Sequence, residues 1–83
     1  MNIKVRLHAM LREIAGTDVI EIPLDPDRAT TAAIFESLVD RHPELGSWSG
    51  VVAFAIDQKV VGPGAEIPAE TSILDVLPPV SGG

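Results

Sequence analysis

The segment NIKVRLH, Asn2 to His8, alternates apolar and polar side chains without a break. The apolar members would share one face and the basic members the other: Ile3, Val5 and Leu7 against Lys4, Arg6 and His8. Alternation with a period of two is typical of a β-strand that buries only one face. The segment therefore predicts a strand in a sheet that is covered on one side.

The next segments predict a second strand and two helices. Residues 9–15 switch to helix-forming types and predict a short helix that buries Leu11 and Ile14. Residues 18–23 alternate again and predict the second strand. Thr30 is placed to N-cap the main helix, which is expected to end near His42 before a proline.

The remaining chain predicts three further strands, at residues 51–56, 59–61 and 73–77. The first of these is almost entirely apolar, which favours burial on both faces. Residues 44–50 are expected to form a loop, and Asp57–Gln58 a turn. One helix over one sheet predicts a mixed α+β roll with the last strand beside the first. The expected core consists of Ile3, Val5, Leu7, Ile20, Ile22, Ile34, Leu38, Phe54, Ile56, Leu74 and Val76.

Composition limits the possible functions. The chain has 83 residues, no cysteine, 46% hydrophobic residues and a net charge of −6. These values predict one small soluble domain without disulfides or thiolate metal ligands, in keeping with a reducing cytosol. The six basic residues are not clustered, and no stretch approaches the ~20 apolar residues of a membrane span. Neither nucleic acid nor a membrane is an expected partner.

The catalytic and metal-binding motifs that we considered are missing from the sequence. His8 and His42 are far apart and belong to no metal-ligand spacing. The serines lack a nucleophile-elbow motif, and the glycines do not form a phosphate-binding loop. A histidine on the polar face of a strand is usually solvated, and most carboxylates are expected on the surface. The sequence thus disfavours a self-contained enzyme.

The segment LPPVSGG, Leu77 to Gly83, is the most unusual part of the chain. Pro78 and Pro79 fix φ and favour an extended backbone, whereas Gly82 and Gly83 carry no side chain. From Pro78 the segment can reach roughly 20 Å at ~3.3 Å per residue. An extended segment with a small tip suits insertion of a carboxylate into a narrow tunnel on another protein. An activating enzyme can also surround the acyl carbon of a terminal glycine and stabilise the developing oxyanion. The segment predicts that Gly83 carries the reactive group; the alternative is an ordinary frayed tail.

The β-β-α-β order with a terminal Gly-Gly resembles the ubiquitin-like β-grasp superfamily. Within it, the chain looks like a member of the MoaD/ThiS family of sulfur carriers, on its MoaD branch. Four segments carry this resemblance: residues 3–5 (IKV), 11–16 (LREIAG), 41–45 (RHPEL) and the ending PPVSGG. The similarity covers nearly the whole chain, and the ending is its most specific element.

The resemblance implies a β-grasp domain over residues 1–77 and an extended tail over residues 78–83. It implies that an E1-like adenylating enzyme activates Gly83 with ATP, and that a sulfur donor converts it to a thiocarboxylate. The large subunit of molybdopterin synthase, in a heterotetramer, would use this sulfur to convert cyclic pyranopterin monophosphate. No cofactor is expected to be bound, the location is expected to be cytoplasmic, and the chain alone would not be catalytic. The residues expected to line the partner's tunnel are Pro78, Pro79, Val80, Ser81 and Gly82.

The expected partner interface is a partly exposed patch of His8, Val60 and Leu77 beside the tail; the alternative is that Val60 and Leu77 are core residues. Several positions depart from the family pattern. His8 and Leu77 stand where aromatic residues are common, Asp57 where asparagine is common, and Asp75 where a small apolar residue is usual. These departures leave open which partner protein the chain serves, but they do not affect the chemistry expected of the tail. Other readings are a sulfur carrier for thiazole, cysteine or tRNA thiolation, and a ubiquitin-like modifier joined to target lysines.

Overall fold

The computed structural model describes residues 2–79 and arranges their strands in one mixed sheet. Two parallel strands lie side by side within it, β1 (Asn2–Leu7) and β5 (Ile73–Leu77). β2 (Val19–Pro23) flanks β1, while β3 (Ala53–Ile56) and β4 (Lys59–Val61) continue the sheet beyond β5, all three antiparallel to their neighbours. The spatial order is β2-β1-β5-β3-β4. The predicted neighbour relation of the first and last strands is confirmed.

The main helix, α2, runs over Thr31–Arg41 and packs against one face of the sheet. Thr30 is its N-cap, since the Thr30 hydroxyl accepts a hydrogen bond from the Ala33 amide at 3.1 Å. A short helix α1 (Met10–Ala15) connects β1 to β2 and ends at Gly16, whose φ of 77° is a left-handed conformation that glycine adopts without strain. The predicted helices and the N-cap are confirmed.

The space between α2 and the sheet is filled by the predicted core. Each residue expected there is at most 8% exposed: Ile3, Val5, Leu7, Ile20, Ile22, Ile34, Leu38, Phe54, Ile56, Leu74 and Val76. Phe35 and Phe54 meet edge to face across the helix–sheet interface, with ring centroids 6.1 Å apart. Leu24, Leu45 and Ile67 join this core although they were not predicted in it.

Three local predictions need correction. The expected loop at residues 44–50 is largely a 3-10 helix, Pro43–Trp48, because Leu45 is drawn fully into the core and the chain tightens around it. The third strand begins at Ala53 rather than at residue 51, and Val51 is exposed in a turn. Ile14 is only half-buried, because the six-residue α1 turns Leu11 rather than Ile14 fully inward.

The connection between β4 and β5 is tied to the start of α2. The buried Thr31 hydroxyl accepts a hydrogen bond from the Gly64 amide at 2.9 Å, and the Thr31 amide donates to the Ala65 carbonyl at 3.0 Å. The Ile67 amide donates to the Ala29 carbonyl at 2.7 Å. These bonds hold the long connection in place, so β5 enters the sheet from a fixed position.

Candidate functional site

The sheet has an outward face on the side opposite α2. Alternation along each strand places every second side chain there, and the strand pairing aligns these positions in rows. One row crosses the sheet through Arg6, Asp75, Ala55 and Val60. The outward face is therefore a continuous surface that reaches from β2 to β4.

The three predicted interface residues all belong to this face. Val60 lies on β4 and is 74% exposed, so it is not a core residue. Leu77 ends β5 opposite Ala53 and is half-buried. His8 follows β1 at the level of Leu77, because Leu7 pairs with Val76. His8 and Leu77 are thus close together, while Val60 is separated from them by β3. Their role in docking stays a prediction.

A polar cluster that the sequence did not predict occupies the middle of the face. Asp75 is only 7% exposed although it points away from the main core. Its Oδ1 accepts a hydrogen bond from Arg6 Nε at 2.6 Å and lies 2.7 Å from His8 Nε2, and Arg6 Nη2 is 3.4 Å from its Oδ2. A carboxylate beside Nε2 requires that nitrogen to carry the proton. We call Arg6, His8 and Asp75 the polar cluster.

The electrostatics of the polar cluster favour an ionised carboxylate. The hydrogen bond from Arg6 lowers the pKa of Asp75 below its ordinary value, and the contact with His8 lowers it further, against the opposing effect of burial. The same ion pair raises the pKa of Arg6. Two expectations are therefore corrected: His8 is paired rather than simply solvated, and Asp75 is a buried carboxylate with partners.

Next to the polar cluster lies a small recess of about 140 Å³, lined by Arg6, Asp57, Gln58, Ile73 and Asp75. Asp57 and Gln58 form the predicted β3–β4 turn with φ values of 51° and 68°. Positive φ at both central residues is characteristic of a tight type I′ hairpin turn, where asparagine and glycine are preferred. The turn places Asp57 at the edge of the outward face.

The tail begins at the centre of the sheet. β5 lies between β1 and β3. Val76 pairs with Leu7 of β1, and Leu77 pairs with Ala53 of β3, just before the chain reaches Pro78 and Pro79. Pro78 is half-buried and Pro79 is exposed. The predictions for Val80, Ser81, Gly82 and Gly83 fall outside the described residues. The root of the tail is thus a fixed point next to His8 and Leu77.

Two negative findings hold for residues 2–79. No group of three or more histidine and acidic side chains among them is arranged to hold a metal ion. In the same part of the chain, no helix is long and apolar enough to cross a membrane.

A five-stranded mixed sheet in this order, crossed by one main helix, defines a ubiquitin-like β-grasp protein. Comparison of the sequence with known families identifies the family within this superfamily. The model of the ThiS family matches residues 5–83, nearly the whole chain. The chain belongs to this family, the ThiS/MoaD family of ubiquitin-like sulfur carriers.

The names of individual relatives indicate two kinds of function, that of a molybdopterin-related subunit and that of a modifier protein. The molybdopterin synthase sulfur carrier subunit of Dictyostelium discoideum is 30% identical over 81 residues, which cover 96% of this chain and 94% of that protein. SAMP1, a small archaeal modifier protein of Haloferax volcanii, is 26% identical over the full length of both chains, with a TM-score of 0.81. A putative molybdopterin converting factor subunit 1 of Pyrococcus furiosus is 26% identical over 96% of this chain and 99% of its own, with a TM-score of 0.78.

Proposed function

We propose that this protein carries sulfur on the carboxylate of Gly83 as the small subunit of molybdopterin synthase. The observation that supports this most strongly is the family match, which extends through the Gly-Gly ending. The Dictyostelium relative, matched over almost the full length of both chains, favours molybdopterin among the pathways that such carriers serve. The proposal requires Gly83 to be the last residue of the mature protein.

The proposed chemistry takes place at the acyl carbon of Gly83. An E1-like enzyme joins the carboxylate to the adenylyl group of ATP and releases pyrophosphate. The sulfur of a hydrosulfide-level donor then attacks the acyl carbon, the acyl–oxygen bond to AMP breaks as the carbon–sulfur bond forms, and a thiocarboxylate and AMP result without a change of oxidation state. Glycine suits both steps because it has no Cβ beside the carbon under attack. The large synthase subunit then receives the sulfur for cyclic pyranopterin monophosphate.

The described part of the chain supports this role by anchoring the tail. β5 is hydrogen-bonded to a strand on each side, so the tail leaves from a rigid base rather than from a free end. The partly exposed Leu77 and the exposed Val60 give the adjacent sheet face apolar surface that a partner can bury. In this proposal the partner covers the outward face while the tail enters its active site. The expected setting is cytoplasmic.

The decisive experiment combines the purified protein with its activating enzyme, ATP and a sulfur donor, followed by intact mass measurement. An oxygen-to-sulfur exchange located at Gly83 supports the proposal, and the loaded protein should then sustain molybdopterin formation by the large subunit. Deletion of Gly83, or addition of one residue after it, should abolish the exchange without changing the melting temperature. No exchange with active components would refute the carrier chemistry.

The effect of Gly82→Ala on sulfur loading can be compared with that of Gly62→Ala, the same substitution at a glycine outside the tail. Gly62 is exposed, and a Cβ built on it meets nothing within 4 Å. Gly62→Ala should therefore leave sulfur loading unchanged, whereas Gly82→Ala should reduce it if the tunnel leaves no room for a side chain. Equal loading of the two variants would show that the tip is not sterically restricted.

The outward face is tested by Leu77→Asp, with Ala32→Asp as control. Ala32 is exposed on α2, on the opposite side of the sheet, so the control adds the same charge away from the proposed interface. Leu77→Asp should weaken binding to the large subunit by about tenfold or more, and Ala32→Asp should not. Equal affinities would remove Leu77 from the interface.

The likeness to SAMP1 over the full length of both chains favours a second function, attachment of Gly83 to lysines of other proteins. Both functions use the same activated carboxylate, so the activation assay does not separate them. Proteolysis of a cell lysate followed by mass spectrometry does. A target lysine joined by an isopeptide bond to the C-terminal peptide of this chain, which begins after Lys59 if cleavage follows basic residues, supports the modifier when the linkage disappears on deletion of the gene. A free thiocarboxylate without such linked lysines supports the carrier alone.

A further inference from the structure

The outward face differs in charge from the rest of the molecule. Its strand positions carry two cations, Lys4 and Arg6, and two carboxylates, Glu21 and Asp75. Their sum is zero, although the chain as a whole has a net charge of −6. Asp57 at the edge of this face and Glu70 beside Lys4 add two negative charges, so most but not all of the excess negative charge belongs to the other surfaces. An acidic partner therefore meets less repulsion at the outward face than elsewhere.

The positive groups of this face lie in one row along β1. Lys4, Arg6 and His8 occupy alternate positions, so their side chains follow one another at a spacing of ~6–7 Å. The side chains of Arg6 and His8 remain 45% and 37% exposed even though both contact Asp75. We call Lys4, Arg6 and His8 the basic row.

The hydrogen-bonding capacity of Arg6 restricts what can cover it. Asp75 accepts hydrogen bonds from Nε and Nη2 of Arg6, and the other guanidinium N–H groups have no acceptor among the described residues. The Arg6 side chain is 45% exposed, so a partner can reach these groups. A guanidinium has donors and no acceptor. A partner that buries it without supplying acceptor oxygens would leave donors unpaired, which costs binding free energy.

We propose that the basic row is a specificity-determining contact for an acidic surface of the large synthase subunit, with a carboxylate of that subunit on Arg6 and with Asp75 as the residue that positions Arg6 and His8. This inference rests on the proposed function, in which the outward face docks on a partner. Asp57 borders the recess on the β3–β4 side of Arg6, so the partner carboxylate reaches Arg6 over β1 rather than through the recess. Leu77 and Val60 supply the apolar part of the same contact.

The test measures dissociation constants with the activating enzyme and with the large synthase subunit encoded in the same genome. Arg6→Glu and Lys4→Glu reverse charges of the basic row. Arg28→Glu is the matched control, because Arg28 lies near α2, contacts Glu36 and has a 68% exposed side chain. The row variants should weaken binding to the large synthase subunit by about tenfold or more, and Arg28→Glu by less than about twofold. A loss confined to the activating enzyme would overturn the assignment of the basic row to the synthase contact.

A double variant tests the positioning role of Asp75. His8→Phe combined with Asp75→Ala makes the face more apolar and releases Arg6 from its anchor. Loss of the Asp75 carboxylate makes the face more positive, so the association rate with an acidic partner should not fall. Loss of the anchor of Arg6 should instead raise the dissociation rate of the folded variant. A dissociation rate equal to that of the wild type would show that Asp75 does not position Arg6 for the partner.

Folding is checked for each variant by thermal melting. If Arg6→Glu does not fold, Lys4→Glu carries the test, because Lys4 is exposed and takes no part in the hydrogen bonds of the polar cluster. The inference is overturned if the row variants bind like the wild type, if Arg28→Glu loses as much affinity, or if neither protein binds the wild type. Sulfur loading of the wild type is measured separately, so failure of the carrier chemistry is distinguishable from failure of this contact.

Discussion

Replacement of Leu38 by alanine tests whether packing of α2 on the sheet holds this domain together. Leu38 is fully buried and lies on the same helix stripe as Ile34. Loss of the outer carbons of leucine costs ~2.4 kcal/mol at ~0.8 kcal/mol per methylene-sized group. The cavity left behind raises the total to about 3–4 kcal/mol, within the ~2–5 kcal/mol usual for such changes. For a domain of this size, the melting temperature should fall by about 12–32 °C.

Thermal and urea unfolding, followed by circular dichroism, measure this loss. Val60→Ala is the control, because Val60 is 74% exposed and its truncation should change stability by less than about 0.5 kcal/mol. The denaturant dependence should stay the same in both variants, since the folded state buries nearly the same surface. A loss below about 1 kcal/mol for Leu38→Ala would contradict the packing described here. Sulfur loading, measured where the variant is fully folded, should be unchanged.

Two further predictions concern polar groups. Thr31→Val keeps the side-chain volume but removes the acceptor for the Gly64 amide, so urea unfolding should show a loss of about 1–3 kcal/mol; a stability equal to the wild type would refute the anchoring role of this hydroxyl. Asp75→Asn removes the carboxylate whose pKa is lowered in the folded state by the hydrogen bond from Arg6. The wild type should therefore melt higher than Asp75→Asn at neutral pH, and the difference should shrink as the pH falls below about 4 and through the folded-state pKa. A difference that does not change with pH would contradict an ionic origin.

The strands and the main helix were predictable because each has a strong periodic pattern and a clear boundary. Alternation identified β1, and the threonine N-cap together with a four-residue apolar spacing identified α2. Leu24, Leu45 and Ile67 were missed as core members because each lies outside the strands and α2, where no periodic pattern shows which way its side chain points. Their burial is decided by the tertiary fold.

The polar cluster could not be derived from local patterns, because Asp75 lies 69 residues from Arg6 and 67 residues from His8 in the chain. Arg6 on β1 and His8 directly after β1 occupy outward-facing positions of the alternation, and Asp75 occupies an outward-facing position on β5. These facts are visible in the sequence, but the contact depends on the parallel register that sets Arg6 beside Asp75. The sequence predicted that β1 and β5 are neighbours and left that register open.

The structure changes how the departures from the family pattern are understood. Taken singly, His8 in place of an aromatic residue and Asp75 in place of a small apolar one each weaken an apolar docking surface. In the fold they contact each other at 2.7 Å, and Arg6 completes the set. A buried carboxylate without partners would destabilise the domain, so Asp75 is acceptable only where donors such as His8 and Arg6 surround it. Arg6, His8 and Asp75 therefore act as one unit, which supplies the buried carboxylate with donors and sets what a partner must offer there. A partner matched to an aromatic patch would leave the guanidinium of Arg6 unpaired, and a partner with carboxylates at that point would not.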